Sequence, residues 1–314
     1  MHKHGHKKGR IICCGTVLID CIVTRAGTAD VADDISLAPG GEGFNGATAL
    51  ARLGEDVTLV AAVGNDFAGN AVRSLIESEG ITILSGFDGK TPVSLLTVDD
   101  RGERKSRVSL AHQYPGYTTK LPDDLSGVSF VTMASLFRPP FLDPQMALEL
   151  ARNVHSSDAL LLADTKLPRG TDPQLRDYAE TLELIDFLTP NKEEALHYTG
   201  ANTPEEAAAV FRSYGVKNVI VKLGDQGCYV LPEEGEPFTC PAFRVTCVDG
   251  IGAGDTFNAG LIHALNTGAS LREAVRYASA AAAICVTGRG ATSALKSETQ
   301  VTELLKQSVH FGEE

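Results

Sequence analysis

Short, nearly uninterrupted apolar runs alternate along the chain with longer stretches whose apolar residues recur every three or four positions. RIICCG, VTLVAAVG, VSFVTMAS, ALLLADT, FLTPN and NVIVKLG are brief and bounded by turn formers, which predicts strands. FNGATALARLG, FAGNAVRSLIESEG, DPQMALELARNVHS, NKEEALHYTG, TPEEAAAVFRSYG, AGDTFNAGLIHALNTG and LREAVRYASAAAAICVTG carry helical spacing. Most of these end in glycine, the usual C-terminal stop. Strands this apolar are buried on both faces. The pattern therefore predicts an α/β fold with a mostly parallel sheet covered by helices.

Two segments break the rhythm. Residues 21–38 and 90–112 are polar and alternating, and the second predicts a hairpin through Asp100, Arg101 and Gly102. They are expected to pair as a small separate β-sheet. Residues 10–20, 39–89 and 113–310 then form the core, and residues 1–9 a tag-like or disordered arm. A flap of this kind beside an α/β core makes a lid, and a lid implies a reaction protected from water.

Composition narrows the function classes. With 28 basic against 40 acidic residues the net charge is −12, which argues against nucleic acid as a partner. No apolar run approaches the ~20 residues of a membrane span. RIICCGTVLIDCIV is short and contains Asp20, so a buried first strand is expected there rather than a signal peptide. Seven cysteines without a C-x-x-C pair point to reduced thiols, a cytoplasmic location and no zinc site. Cys13, Cys14 and Cys285 sit among apolar residues, where packing is their expected role.

The candidate chemistry centres on DGIGAGDTFNAG, residues 249–260. Phe257, Leu261, Ala264 and Leu265 form one helical stripe, so a helix is expected to begin near Gly254 and Asp255. Glycines ahead of a helix allow close backbone approach. The unpaired N–H groups and the positive end of the helix dipole then make an anion site. No Lys-Ser or Lys-Thr follows as in a Walker A loop, and Phe257 stands where a dinucleotide fingerprint needs glycine. A helix cap would account for Asp255 but not for Gly252 and Gly254. A carboxylate beside an anion site suits a proton acceptor in phosphoryl transfer.

DGIGAGDTFNAG resembles the C-terminal signature of the ribokinase-like (PfkB) carbohydrate kinases, roughly D-[TS]-x-G-A-G-D-x-F-x-x-G, with Gly250 where the family usually has Thr or Ser. That resemblance implies a three-layer α/β/α core with a β-sheet lid, and ATP-dependent phosphorylation of a hydroxyl of a monosaccharide or sugar derivative. Asp255 would be the general base, and the backbone of Gly252, Ala253, Gly254 and Asp255 the anion hole.

PGGEGFNGATALARLG resembles the family's first signature, implying sugar contacts through Gly41 and Asn45, with Gly40 beside them. Glu42 departs from the Lys or small residue of several members. Asp20, at the end of the first strand, matches the aspartate that holds two sugar hydroxyls; a strand-end turn is its alternative. TPNKEEAL matches an N-x-x-E motif, implying that Asn191 and Glu194 place Mg²⁺ and the phosphates; a simple capping box is the alternative. VIVKLGDQGCYV resembles the nucleotide loop, with Lys222, Gly224, Asp225 and Gly227, although Lys222 stands where relatives often have Thr. Asp249, Ile251, Val286 and Ser293 match positions around a monovalent-cation (K⁺) site of several members.

MASLFRPP and ADTKLPRG fall where the family lines its sugar pocket, and they supply Arg138, Asp164, Lys166 and Arg169. One of the basic residues is expected to read a carboxylate or phosphate on the substrate. A solvent-facing loop is the alternative, and Asp164 has a second possible place in the Mg²⁺ water network. The resemblance also implies a homodimer through the lid. A nucleoside kinase of the same fold and a non-catalytic sugar-sensing relative are the competing readings.

Overall fold

The protein is described by a computed structural model covering residues 8–24, 34–85, 87, 89–98, 104–109, 121–139, 142–168 and 172–309. Residues 1–7 of the expected arm, the hairpin turn at Asp100, Arg101 and Gly102, and Arg169 lie outside the described residues. Elements are numbered in chain order. The first half contains β1 (Arg10–Cys14), β2 (Leu18–Thr24), β3 (Asp34–Gly40), α1 (Glu42–Arg52), β4 (Val57–Val60), α2 (Phe67–Ser78), β5 (Thr82–Leu84), β6 (Val93–Val98) and β7 (Arg104–Val108). There follow β8 (Val128–Leu136), α3 (Pro144–His155), β9 (Leu160–Thr165), α4 (Ala179–Glu183), β10 (Phe187–Leu188), α5 (Lys192–Thr199), α6 (Pro204–Ser213) and β11 (Asn218–Lys222). The chain closes with β12 (Cys228–Leu231), β13 (Phe238–Cys240), α7 (Ala253–Asn266), α8 (Leu271–Cys285) and α9 (Glu298–Val309).

Nine strands form the central sheet in the order β13-β12-β11-β10-β9-β8-β1-β4-β5. From β11 to β5 every pairing is parallel, and the β12–β13 hairpin closes one edge antiparallel. Alternation along β1 shows why the sheet needs cover on both faces. Ile11 and Cys13 point into the cluster with α1, α7 and α8, while Ile12 and Cys14 point into the cluster with α3 and α6. Each fully buried Ile or Leu contributes roughly 2 kcal/mol, so both faces are held by the same means. The paired cysteines pack as expected, and burial pushes the Cys13 thiol up to about 12.

Helix starts follow from local chemistry. Asp143 accepts from Met146 N at 2.9 Å ahead of Pro144, and Ser270 and Glu273 form a capping box at the start of α8. A second sheet, β3-β2-β6-β7, stands apart from the core; its outer pairs are antiparallel and β2–β6 is parallel. Its strands begin at Leu18 and extend to Gly40, a few residues beyond the expected 21–38 on both sides. Asp20 therefore belongs to the lid sheet and not to the end of the first core strand, because the core strand stops at Cys14 and the chain turns before Leu18.

Candidate active site

The start of α7 carries the candidate reaction centre. Gly252 caps the helix at φ 81°, a left-handed conformation, and a Cβ there would lie 2.5 Å from Ala291 Cβ. The first α-helical bond runs from Thr256 N to Gly252 O at 2.9 Å. The N–H groups of Gly254 and Asp255 lie ahead of it and find no acceptor within their own helix. They border a cavity of about 770 Å³ whose wall includes Gly252, Ala253, Gly254 and Asp255.

Asp255 is buried, and Asn45 Nδ2, in α1, donates to its Oδ2 at 2.8 Å. Burial pushes the Asp255 carboxyl up to about 6 against the opposing pull of Lys166 and the Asn45 amide; Glu42 and Asp164 add to the rise. Such a group is ionised near neutral pH and basic enough to accept a proton. The other amide atom of Asn45, Oδ1, is buried with no hydrogen-bond partner among the described residues.

At one end of the cavity, Asp20 faces inward beside Ser94, its register partner on β6. Burial raises the Asp20 carboxyl, the Ser94 hydrogen bond lowers it, and Glu42 raises it further. Gly40 makes room for this carboxylate: a Cβ on Gly40 would lie 2.1 Å from Asp20 Oδ2. Gly41 precedes Glu42 on the cavity wall.

Arg138 and Lys166 also line the cavity, which rules out the solvent-facing loop. Both face a carboxylate of the protein itself. Glu42 Oε1 is 3.7 Å from Arg138 Nη1 and 3.9 Å from Lys166 Nζ, and Glu42 Oε2 accepts a hydrogen bond from the Thr16 hydroxyl. Burial alone would raise Glu42, but Lys166, Thr16 and Arg138 hold it below the ordinary carboxylate range. Burial likewise works against the charge of Lys166, yet Glu42, Asp255 and Asp164 keep its ammonium above the usual lysine range.

The end of β8 is bent to bring Arg138 there. Ser135 and Phe137 have φ of 60° and 68°, and the pairing with β9 shifts register between Met133 and Leu136. Non-glycine residues in this region cost roughly 1–3 kcal/mol each, and the surrounding structure holds them. The Phe137 ring packs edge-on against Tyr178 at 5.0 Å and at a tilt of 47° against Tyr198 at 4.5 Å. The Tyr198 hydroxyl donates to Lys166 O at 2.6 Å and lies 3.2 Å from Phe137 O, which brings the two strand ends to one side chain.

The other half of the cavity has a different character. Lys222 Nζ donates to Asp164 Oδ1 at 2.9 Å and lies 3.2 Å from where a Cβ on Gly254 would be, so a cation stands at the helix start. Asp164 thus turns toward Lys222. Asn191 and Glu194 form the capping box of α5, with Asn191 Oδ1 accepting from Glu194 N at 2.9 Å and Glu194 Oε2 from Asn191 N at 3.0 Å. The capping alternative is realised, and both residues line the cavity as well. Burial and the neighbouring Asp164 raise the Glu194 carboxyl, and Lys222 pulls it down. Gly224, Asp225 and Gly227 border the same end, beyond which Phe243, Val245, Ile251, Ala282 and Ala283 form an apolar slot. Phe243 and Val245 carried no motif and escaped the sequence reading.

Asp249, Ile251, Val286 and Ser293 come from two loops that meet here. Asp249 Oδ1 accepts from Ile251 N at 3.1 Å, its Oδ2 from Gly290 N at 2.9 Å, and Val286 O from Val248 N at 2.7 Å and Asp249 N at 3.2 Å. Ser293 Oγ packs at Gly288. The Asp249 carboxylate and the Val286 carbonyl are engaged by backbone donors, so the two loops are joined by the protein's own hydrogen bonds.

A helix start with N–H groups unpaired within the helix and a buried carboxylate, set between a polar chamber and an apolar slot beneath a small β-sheet, suits a phosphoryl-transfer enzyme on a three-layer α/β fold. Residues 8–298 match the pfkB family carbohydrate kinase, and the chain belongs to that family. Ribokinase of Haemophilus influenzae is 29% identical over 293 residues, which cover 91% of this chain and 93% of the relative. The crystal structure of ribokinase from Thermotoga maritima superposes with a TM-score of 0.79 at 29% identity, covering 95% of this chain and 99% of that one. The Arabidopsis thaliana ribokinase complexed with ribose and ATP shares the fold at a TM-score of 0.78 and 24% identity, over 95% of this chain and 99% of that one.

Proposed function

We propose that this chain is an ATP-dependent kinase of a sugar or sugar derivative and that Asp255 is its general base. The observation that carries this reading is the position of Asp255: buried, at the first turn of α7, with a carboxyl raised to about 6. Asp255 takes the proton from the acceptor hydroxyl as that oxygen attacks the terminal phosphorus of ATP. The new O–P bond forms while the bond to the leaving ADP oxygen breaks. The N–H groups of Gly254 and Asp255 and the Lys222 ammonium receive the charge on the transferred group. Asp20 and Asn45 orient the acceptor. The Arabidopsis relative was captured with ribose and ATP; here the polar chamber suits a sugar and the apolar slot beside Gly224 and Gly227 suits a nucleotide base.

Asp164 and Glu194 crowd two carboxylates beside one lysine, which is a setting that a hard cation relieves. Asp164 and Glu194 would hold Mg²⁺ together with phosphate oxygens and water. When bound, Mg²⁺ would neutralise phosphate charge. The K⁺ implied at Asp249, Ile251, Val286 and Ser293 would use lone pairs left over beside the backbone donors at Asp249 and Val286, and we assign it no step.

The chain acts in the cytoplasm as a homodimer through its lids. No described helix is long and apolar enough to cross a membrane. The outer lid face exposes Ile35, Leu37 and Leu95 at 64%, 66% and 41%, with Leu37 and Leu95 flanking Cys21 in register.

The test is ATP consumption with Mg²⁺ against free sugars, sugar acids, sugar phosphates and nucleosides. Production of ADP with one class of acceptor is expected. Silence across the panel by a protein that still binds ATP would overturn the reading.

A further inference from the structure

We infer that Glu42 is a specificity-determining residue that reserves the acceptor chamber for uncharged sugars, by facing the two cations that a substrate carboxylate or phosphate would otherwise use. This rests on the kinase reading above and goes beyond it by naming the charge class of the acceptor.

The geometry is specific. Glu42 sits in the first turn of α1, directly after Gly41, and its side chain is only 17% exposed. Thr16 donates to one of its oxygens, and the other stands 3.7 Å from Arg138 and 3.9 Å from Lys166. Those distances exceed a direct hydrogen bond of about 2.9 Å. A sugar hydroxyl matches such an arrangement, because it donates to Glu42 and accepts from a cation with the same oxygen. A carboxylate or phosphate only accepts, so it meets the cations and the Glu42 carboxylate at once.

Charge balance points the same way. The acceptor end is lined by Asp20, Glu42 and Asp255 against Arg138 and Lys166, so it already carries an excess of one negative charge. A substrate anion would enlarge that excess in a partly buried site, where like charges cost more than in water. Lys166, Thr16 and Arg138 also hold the Glu42 carboxyl low, so it is ionised at neutral pH. Removing its charge leaves Arg138 and Lys166 facing the chamber without that carboxylate, and an anionic acceptor can take its place.

The test compares kcat/KM for the best acceptor of the panel with that for its own anionic counterpart. Each counterpart is chosen so that the hydroxyl phosphorylated in the neutral member is still free. According to the product formed, the pairs are D-ribose with D-ribonate, D-ribose 1-phosphate or D-ribose 5-phosphate, D-fructose with D-fructose 1-phosphate or D-fructose 6-phosphate, and inosine with inosine 3′- or 5′-monophosphate. Native enzyme should prefer the neutral member by about 10²-fold, the scale of a like-charge clash. Glu42→Gln and Glu42→Ala should narrow that ratio by at least ~10-fold, whatever they do to the absolute rate. A native enzyme that turns over an anionic member as well as its neutral partner overturns the inference while leaving the kinase standing. A ratio unchanged in the variants overturns it too. Should neither variant fold, the native comparison and the inhibition constants of D-ribonate and D-ribose 5-phosphate decide. Weak inhibition supports the role of Glu42, and inhibition at concentrations near the KM of the neutral sugar contradicts it. If no acceptor of any charge is phosphorylated, the kinase reading fails and this inference falls with it.

Discussion

Asp255 ionises near pH 6 in the native protein against 3.8 for an ordinary aspartate, and the native state therefore holds a proton that the unfolded chain has already released. Its contribution to stability declines as pH rises through that window, and at neutral pH the cost is about 3 kcal/mol. Asp255→Asn should accordingly raise the thermal midpoint by roughly 2 °C or more, read by calorimetry at pH 7. A fall in the midpoint would mean that the ionised carboxylate is net stabilising. The same titration sets a kinetic expectation. On the acid side, kcat/KM should fall as pH drops through about 6, because a protonated Asp255 cannot accept the acceptor's proton. Asn45 donates to the charged form, so Asn45→Leu should move that limb to higher pH. An unmoved limb would detach Asn45 from the base.

Elements place these residues through contacts that no local pattern encodes. Asn45 and Asp255 are 210 positions apart, and the docking of α1 beside α7 joins them. Gly252→Ala should disturb that junction, since its Cβ would collide with Ala291 and its backbone is left-handed. A shift of α7 by even 1 Å is expected to lower kcat by about 10²-fold. Ser270→Ala, at the cap of α8, should cost about 1 kcal/mol of stability and leave kcat/KM unchanged. Equal kinetic effects from the two variants would argue against a special role for the α7 start.

The apolar periodicity made β1, β4, β8, β9, β11 and the major helices legible. FLTPN marked β10 as well, although only Phe187 and Leu188 pair; β5 and the β12–β13 hairpin were less legible, because pairing with neighbours rather than local pattern makes them strands. The sequence marked Glu42 as unusual and Arg138 and Lys166 as cationic. Only the bend at Ser135 and Phe137 shows that these three face one another.

At the scale of the molecule, the lid sheet supplies Asp20 and Ser94 to the cavity from one face and exposes Leu37 and Leu95 on the other. A dimer in solution is expected by sedimentation, and Leu37→Asp should shift it toward monomer by placing a charge in the apolar patch. A protein that is monomeric before the change contradicts the lid pairing. The net charge of −12 lies on the same chain that must bind an anionic nucleotide, so its cations are needed where phosphate sits. Lys222 at the start of α7 fits that need.

The central claim is that Asp255 takes the proton from the acceptor, and the most direct measurement is kcat of Asp255→Asn on the best acceptor, with acceptor affinity measured calorimetrically alongside. The account predicts a loss of at least ~10²-fold in kcat with affinity changed little. A variant that turns over at the native rate would contradict it.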